Sequence, residues 1–398
     1  MSDITETDIR MVLERYLRIC ESPENQRNAR YWTNAGEPWL IERWRGVPAA
    51  KSGAFTMALD IAGYSKVVDI PCPAYYETAE AQLYGQMRYH FWEAEFFRCN
   101  RFFDTTAFAS LGAVWEASLF GANTIFPDGQ APWVDMRNPL LKNRDLSVLR
   151  TIGLKSARMA ARMHQFYERM CELTEGSGIR AMYPTCLRGP YSVATQLRET
   201  TSLLMDILDA PQFVHDLMRR ITDGLMVHAQ QRAEYLGEEV APAKLFNDEI
   251  GTPMLSKAMY EDFILPYETE LAEFHKTVTY WHSCGVTDDF YKSVATIPNL
   301  RMMHVGPWSS VEKAVDVFGK ADIALDICVN STADVYDRTP DEMRTKLQAI
   351  KTACDGKVRY AVRADGFQIV DTIERDLEKI SQWNDAAIDV FGTVNRET

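Results

Sequence analysis

His282 and Cys284, in the segment Trp281-His-Ser-Cys-Gly285, stand one residue apart. In extended backbone, residues two apart project to the same face, so an imidazole and a thiolate here can reach one ion. Gly285 directly behind them would let the chain turn sharply beside a bound group. A catalytic zinc takes three protein ligands and keeps a fourth position open, so a third donor is expected. Asp365, in Arg363-Ala-Asp-Gly366, is the first choice, which makes His282, Cys284 and Asp365 the expected metal set. Cys328 is the softer alternative, and Glu249 a second carboxylate able to complete it. Asp248 and Glu249 can act as general base, as partner to a ligand or as ligand themselves. His304 can hydrogen-bond a substrate oxygen. Structural roles stand beside each of these: a turn aspartate before glycine, a buried thiol, a carboxylate opening the helix after Gly251-Thr-Pro253, a core histidine. Glu116 and Asp326 either line the pocket floor or pair with an interior arginine.

The elements that must carry these residues alternate. Short apolar runs at 107–115, 179–183, 244–246, 278–281, 302–305, 323–327 and 359–362 read as strands. Amphipathic helices are expected at 146–173, 196–236, 256–274, 340–352 and 373–391. Strand and helix in this cadence imply a parallel sheet. Without a glycine-rich dinucleotide fingerprint, the pattern fits a (β/α)8 TIM barrel better than a doubly wound sheet. Glu116, Asp248, Glu249, His282, Cys284, His304, Asp326, Cys328 and Asp365 all follow strands, and in a barrel those positions share the rim where active sites form. Residues 1–105 read as a mostly helical, aromatic-rich extension packed on a barrel spanning 106–398.

Composition narrows the function classes. A formal net charge of −13 over 398 residues, with no cluster of Lys and Arg, argues against nucleic acid and against an anionic membrane surface. No apolar run approaches the ~20 residues of a membrane span. The start, Met1-Ser-Asp-Ile-Thr-Glu, is acidic and unlike a signal peptide. Eight cysteines are too sparse for a disulfide scaffold, so reduced thiols and a cytoplasmic protein are expected.

Several ordered segments resemble one family. Gly189-Pro-Tyr191 followed by 204–211, Asn247-Asp-Glu249, the helix ending Ile264-Leu-Pro-Tyr267, His282-Ser-Cys-Gly285, Gly319-Lys-Ala-Asp-Ile-Ala-Leu325 and Arg338-Thr-Pro-Asp-Glu342 are similar to landmarks of the uroporphyrinogen decarboxylase superfamily. Within it, "H-x-C-G" resembles the cobalamin-dependent methyltransferase branch. The first 100 residues lack the arginine-rich loop with which porphyrin decarboxylases hold substrate carboxylates, and Trp39-Leu-Ile-Glu-Arg-Trp44 is a poor substitute. The resemblance implies zinc bound by the His and Cys of that motif plus a late-strand cysteine. Asp365 stands where that cysteine is expected, which hardens the donor set and admits Mn2+ beside Zn2+. The spacing from Glu261 to His282 resembles one found among ether-cleaving members.

The leading expectation is therefore a metal-dependent methyltransferase moving a methyl group from a methoxylated, preferentially aromatic, small molecule to a corrinoid on a separate partner protein. The alternative is a metal-dependent hydrolase or lyase opening a carbonyl compound such as a cyclic diketone. A homo-oligomer is compatible with either.

Overall fold

The computed structural model describes residues 4–33, 53–112, 114–127, 129–155, 158–186 and 188–392. Parallel strands β1 (Ala54–Leu59), β2 (Thr106–Phe108), β3 (Arg180–Met182), β4 (Ala243–Phe246), β5 (Val278–His282), β6 (Met302–Val305), β7 (Ala324–Cys328) and β8 (Tyr360–Phe367) alternate with helices. Six of them are hydrogen-bonded in the order β1-β8-β7-β6-β5-β4, while β2 pairs with β3. Arg188, on the chain leaving β3, bridges to Phe246 at the end of β4. Asn100, on the chain entering β2, exchanges two hydrogen bonds with Phe55 of β1. The result is a (β/α)8 barrel. Burial on both faces explains why β5, Val-Thr-Tyr-Trp-His, reads as one apolar run rather than an alternating one.

Alternation along the strands still decides what enters the barrel. Phe246, Tyr280, Met302 and Ala324 form an apolar layer inside. One step toward the C-terminal rim the inward positions are His282, His304, Asp326 and Arg363, all buried. An apolar floor beneath a polar mouth results.

The helical N-terminus is real but shorter than expected. Helix Glu6–Cys20 opens on a capping box between Thr5 and Asp8 and buries Ile9, Val12, Leu13 and Tyr16. Helix Pro23–Thr33 follows, and Trp39 to Trp44 lie outside the described residues. Within the stretch expected to be a helical extension, Ala54–Leu59 is instead the first barrel strand, in parallel register with β8. The tyrosines nearby pack on one another, Tyr64 and Tyr75 each stacking on Tyr89.

Other boundaries shift for local reasons. The expected strand 107–115 ends at Phe108, and Trp115–Leu119 is a helical turn. The single helix expected over 196–236 is three, broken at Glu199, where φ is 73°, and at Ala210 before Pro211. The one expected over 256–274 divides at Ile264, close before Pro266. Helix Arg158–Thr174 starts later than expected, after a 3-10 turn at Leu146–Val148. Among the described residues no helix is long and apolar enough to cross a membrane.

Candidate metal centre

β4 and β5 lie side by side with Phe246 opposite His282, and the Asn247 amide donates to the His282 carbonyl at 2.7 Å. This register carries Asp248, one residue past Asn247, to the chain that turns through Ser283 and Cys284. Three donor atoms meet there. His282 Nε2 lies 3.0 Å from Asp248 Oδ1 and 3.3 Å from Cys284 Sγ, and that sulfur lies 3.5 Å from the same carboxylate oxygen. Tetrahedral zinc, with bonds of ~2.0–2.1 Å to O and N and ~2.3 Å to S, separates such donors by about 3.3–3.6 Å. The triangle is therefore close to one face of a zinc tetrahedron, with the fourth direction left for a small molecule. Among the described residues this is the grouping of His, Cys and carboxylate side chains tight enough for one ion.

Glycines bring the two chain segments together. A Cβ on Gly285 would lie 2.6 Å from the Ile250 carbonyl oxygen and 2.9 Å from Gly251 Cα. Gly285 is thus required by the close approach of the β4 and β5 loops. It is not among the residues with positive φ, so close approach rather than a left-handed backbone calls for glycine here.

Charge around the triangle is organised by a buried arginine. Arg188 Nη1 reaches Asp248 Oδ2 at 2.9 Å and Glu249 Oε1 at 3.3 Å, and its guanidinium lies over the Trp133 ring. Burial pushes the Asp248 carboxyl up, but the His282 hydrogen bond and Arg188 outweigh it and hold the group down to about 2. Glu249 goes the other way: burial raises it beyond what Arg188 and the Ser192 hydroxyl can offset. At Cys284, which opens to the rim, partial burial and then the Asp248 charge push the thiol up to about 12. A cation in the triangle would reverse that last effect, since metal-bound thiols are deprotonated.

A second charged group sits across the mouth. Arg363 is buried, pairs with Asp326 at 3.2 Å and also binds Asp365. The Tyr280 hydroxyl donates to Asp326 and accepts from Arg363 Nη2 at 3.3 Å. Cys328 Sγ donates to Asp365 Oδ1 at 3.4 Å. The expected third ligand, Asp365, is thus outside the donor triangle, and Asp248, expected foremost as a base, is in it. The reason is the length of β8. It runs to Phe367, so Asp365 is a strand residue two positions beyond Arg363 on the same face, and that guanidinium captures it.

His304 lies against the centre. Its ring stacks on His282 at 4.1 Å, and its Nδ1 is 2.8 Å from the Ser283 carbonyl, which fixes a donor proton on that nitrogen. Glu116 is buried and accepts the Arg188 backbone N–H at 3.2 Å. Glu261, on helix Lys257–Phe263, accepts from Ser293 Oγ at 2.7 Å and pairs with Lys257 of the same helix. Sequence reasoning missed Arg188, Ser192 and Arg363. Arg188 immediately precedes the Gly189-Pro-Tyr191 turn, and Arg363 shares strand parity with Asp365; those were the available signals.

Comparison with known proteins agrees with this architecture. The family model for uroporphyrinogen decarboxylase (URO-D) matches residues 102–368. No curated protein matches the chain. A methyltransferase from Methanosarcina mazei superposes with a TM-score of 0.59 at 14% identity, covering 85% of this chain and 95% of that one. At that identity the likeness concerns the fold.

Proposed function

We propose that this chain, which belongs to the uroporphyrinogen decarboxylase family, is a metal-dependent methyltransferase that demethylates a methoxylated, aromatic small molecule and passes the methyl group to a corrinoid on a separate protein. The observation that carries the reading is the Asp248, His282 and Cys284 triangle at the barrel mouth, with donor separations suited to Zn2+. One nitrogen, one sulfur and one oxygen donor form a mixed set that also admits Mn2+. The bound ion would supply Lewis acidity toward the ether oxygen.

The chain's own residues have defined parts. Asp248, His282 and Cys284 hold the ion, and Arg188 orients Asp248 through its second carboxylate oxygen. Glu249, whose carboxyl burial raises from its ordinary value, is the group beside the centre placed to deliver a proton. When the methyl–oxygen bond breaks, its electron pair stays on the aryl oxygen, which takes that proton. The partner's reduced cobalt would supply the nucleophile that accepts the methyl group. His304, its ring fixed by Ser283, contacts the substrate oxygen. Asp365 is a positioning partner for Arg363 on the opposite wall.

The test is direct. Zinc-loaded and manganese-loaded protein is incubated with cob(I)alamin and a panel of methoxyarenes while the corrinoid spectrum is followed. Appearance of the methylcobalt species is expected. No transfer across the panel, with turnover of cyclic diketones by the same preparation, would replace this reading by the ring-opening hydrolase. Glu249, in that case, would serve as the acid or base for a metal-activated water.

A further inference from the structure

Behind the donor triangle, outside the barrel wall, one carboxylate collects three hydrogen bonds. Glu268 lies on helix Leu265–His275 and is fully buried. Its Oε1 accepts from Asn247 Nδ2 at 2.6 Å, and its Oε2 from the Tyr260 hydroxyl at 2.6 Å and Trp281 Nε1 at 3.1 Å. Asn247 and Trp281 are the residues immediately before Asp248 and His282. Because strand neighbours point to opposite faces, a hold on Trp281 from outside fixes where His282 points inside.

Asn247 is held through its backbone as well as its side-chain nitrogen. Its backbone N–H donates to the His282 carbonyl, and its side-chain oxygen fills the space where a Cβ on Gly189 would lie, 2.0 Å away. The ladder between β4 and β5 shifts register between Ala243 and Lys244, and these contacts lie at its opposite end, past Phe246. Three donors converge on the group, and a carboxylate can accept all of them. A neutral carboxamide would turn its own N–H2 toward at least one.

We propose that Glu268 is a positioning residue for the metal centre, setting the separation of Asp248 from His282 by gripping the residue before each. The inference rests on the metal reading above. Partners that orient metal ligands typically cost ~10–100-fold in affinity when removed. The ordinary alternative is a glutamate that stabilises the fold alone.

Cobalt(II) titration of the full-length, metal-free protein separates these. Wild type is expected to bind cobalt with a thiolate-to-metal absorption band. Glu268→Gln should lose at least about tenfold in affinity and alter the band. Trp281→Phe, which removes one donor, should lose less. Leu347→Ala, a cavity in the helix Pro340–Cys354, controls for loss of stability and should bind as wild type does. Wild-type affinity and spectrum in both Glu268→Gln and Trp281→Phe would overturn the inference, as would equal weakening in Leu347→Ala. Should Glu268→Gln fail to fold, Trp281→Phe alone decides. If wild type takes up no cobalt, the metal reading itself fails.

Discussion

Gly285→Ala tests whether the two loops are as tightly joined as the centre requires. The new methyl carbon would sit 2.6 Å from the Ile250 carbonyl oxygen and 2.9 Å from Gly251 Cα, where ordinary contact begins at 3.4 Å. Both obstacles are backbone, so neither can rotate away. Relief requires the loops to part by about 0.5–0.8 Å, an overpacking that typically costs ~1–3 kcal/mol. Asp248 precedes Ile250 by two residues and Cys284 precedes Gly285 by one, so the parting opens the edge of the triangle that now measures 3.5 Å. An edge of roughly 4 Å exceeds the ~3.6 Å that one zinc ion spans at tetrahedral angles. The expected result is a Tm lower by a few degrees and zinc affinity weakened at least about tenfold. A chelator-competition titration, run beside a thermal melt of the metal-free protein, measures the two separately. Gly251→Ala should reproduce both losses, because its Cβ would meet Gly285 Cα at 2.9 Å. Unchanged zinc affinity in both variants would refute the link between loop contact and ligand spacing, whatever happens to Tm.

Two further outcomes follow from the same geometry. Asp248→Ala should abolish stoichiometric metal in elemental analysis, whereas Asp365→Ala should retain most of it; the reverse ranking would return Asp365 to the ligand set. For Glu268, burial pushes the carboxyl from its ordinary 4.5 up to about 7. The folded state then holds a proton that the unfolded state has released, so this group's contribution is fully present below pH 4.5 and is lost as pH rises toward 7. At ~1.4 kcal/mol per unit, the stability of metal-free wild type should fall relative to Glu268→Gln by about 3 kcal/mol across that window. A difference independent of pH in urea titrations would contradict the assignment.

What the sequence made legible was mostly what repeats along it. Runs buried on both faces located seven strands of the barrel, and the one-residue spacing of His282 and Cys284 located two of the three donor atoms that converge at the mouth. The first strand, Ala-Phe-Thr-Met-Ala-Leu, was hidden because it is short and lies among helices and aromatics; only its register with β8 distinguishes it. Asp248 was read as a rim carboxylate able to act as base, partner or ligand, with Asp365 placed ahead of it as the expected third ligand. That distinction depends on the pairing of Phe246 with His282 and on two glycines in contact across loops, both of which are tertiary facts. Asp365 was placed first because the end of β8 was set five residues early, which concealed its pairing with Arg363. An arginine in sequence announces no partner. Arg188 and Arg363 acquire theirs when four strand ends converge.

Those partners also bear on what the mouth can accept. Arg188 is held by Asp248 and Glu249, and Arg363 by Asp326 and Asp365. Two buried cations face four carboxyl groups, so in formal charge the mouth carries two surplus negative charges. A divalent ion offsets that surplus, which favours the metal. A substrate bearing its own carboxylate restores it, and must either pull an arginine from its two partners or sit among anions. One uncompensated charge about 6 Å from another, at an effective dielectric near 20, costs ~3 kcal/mol. Between two methoxyarenes of equal shape, one ending in a hydroxymethyl and one in a carboxylate, kcat/KM should therefore favour the neutral compound by on the order of a hundredfold. Exposed charges would lose most of such a preference in 1 M salt, whereas one set inside the barrel mouth should persist. Preference for the carboxylate would mean that one of the two arginines is released on binding, and that the ion pairs at the mouth are a closed form of a carboxylate-binding site.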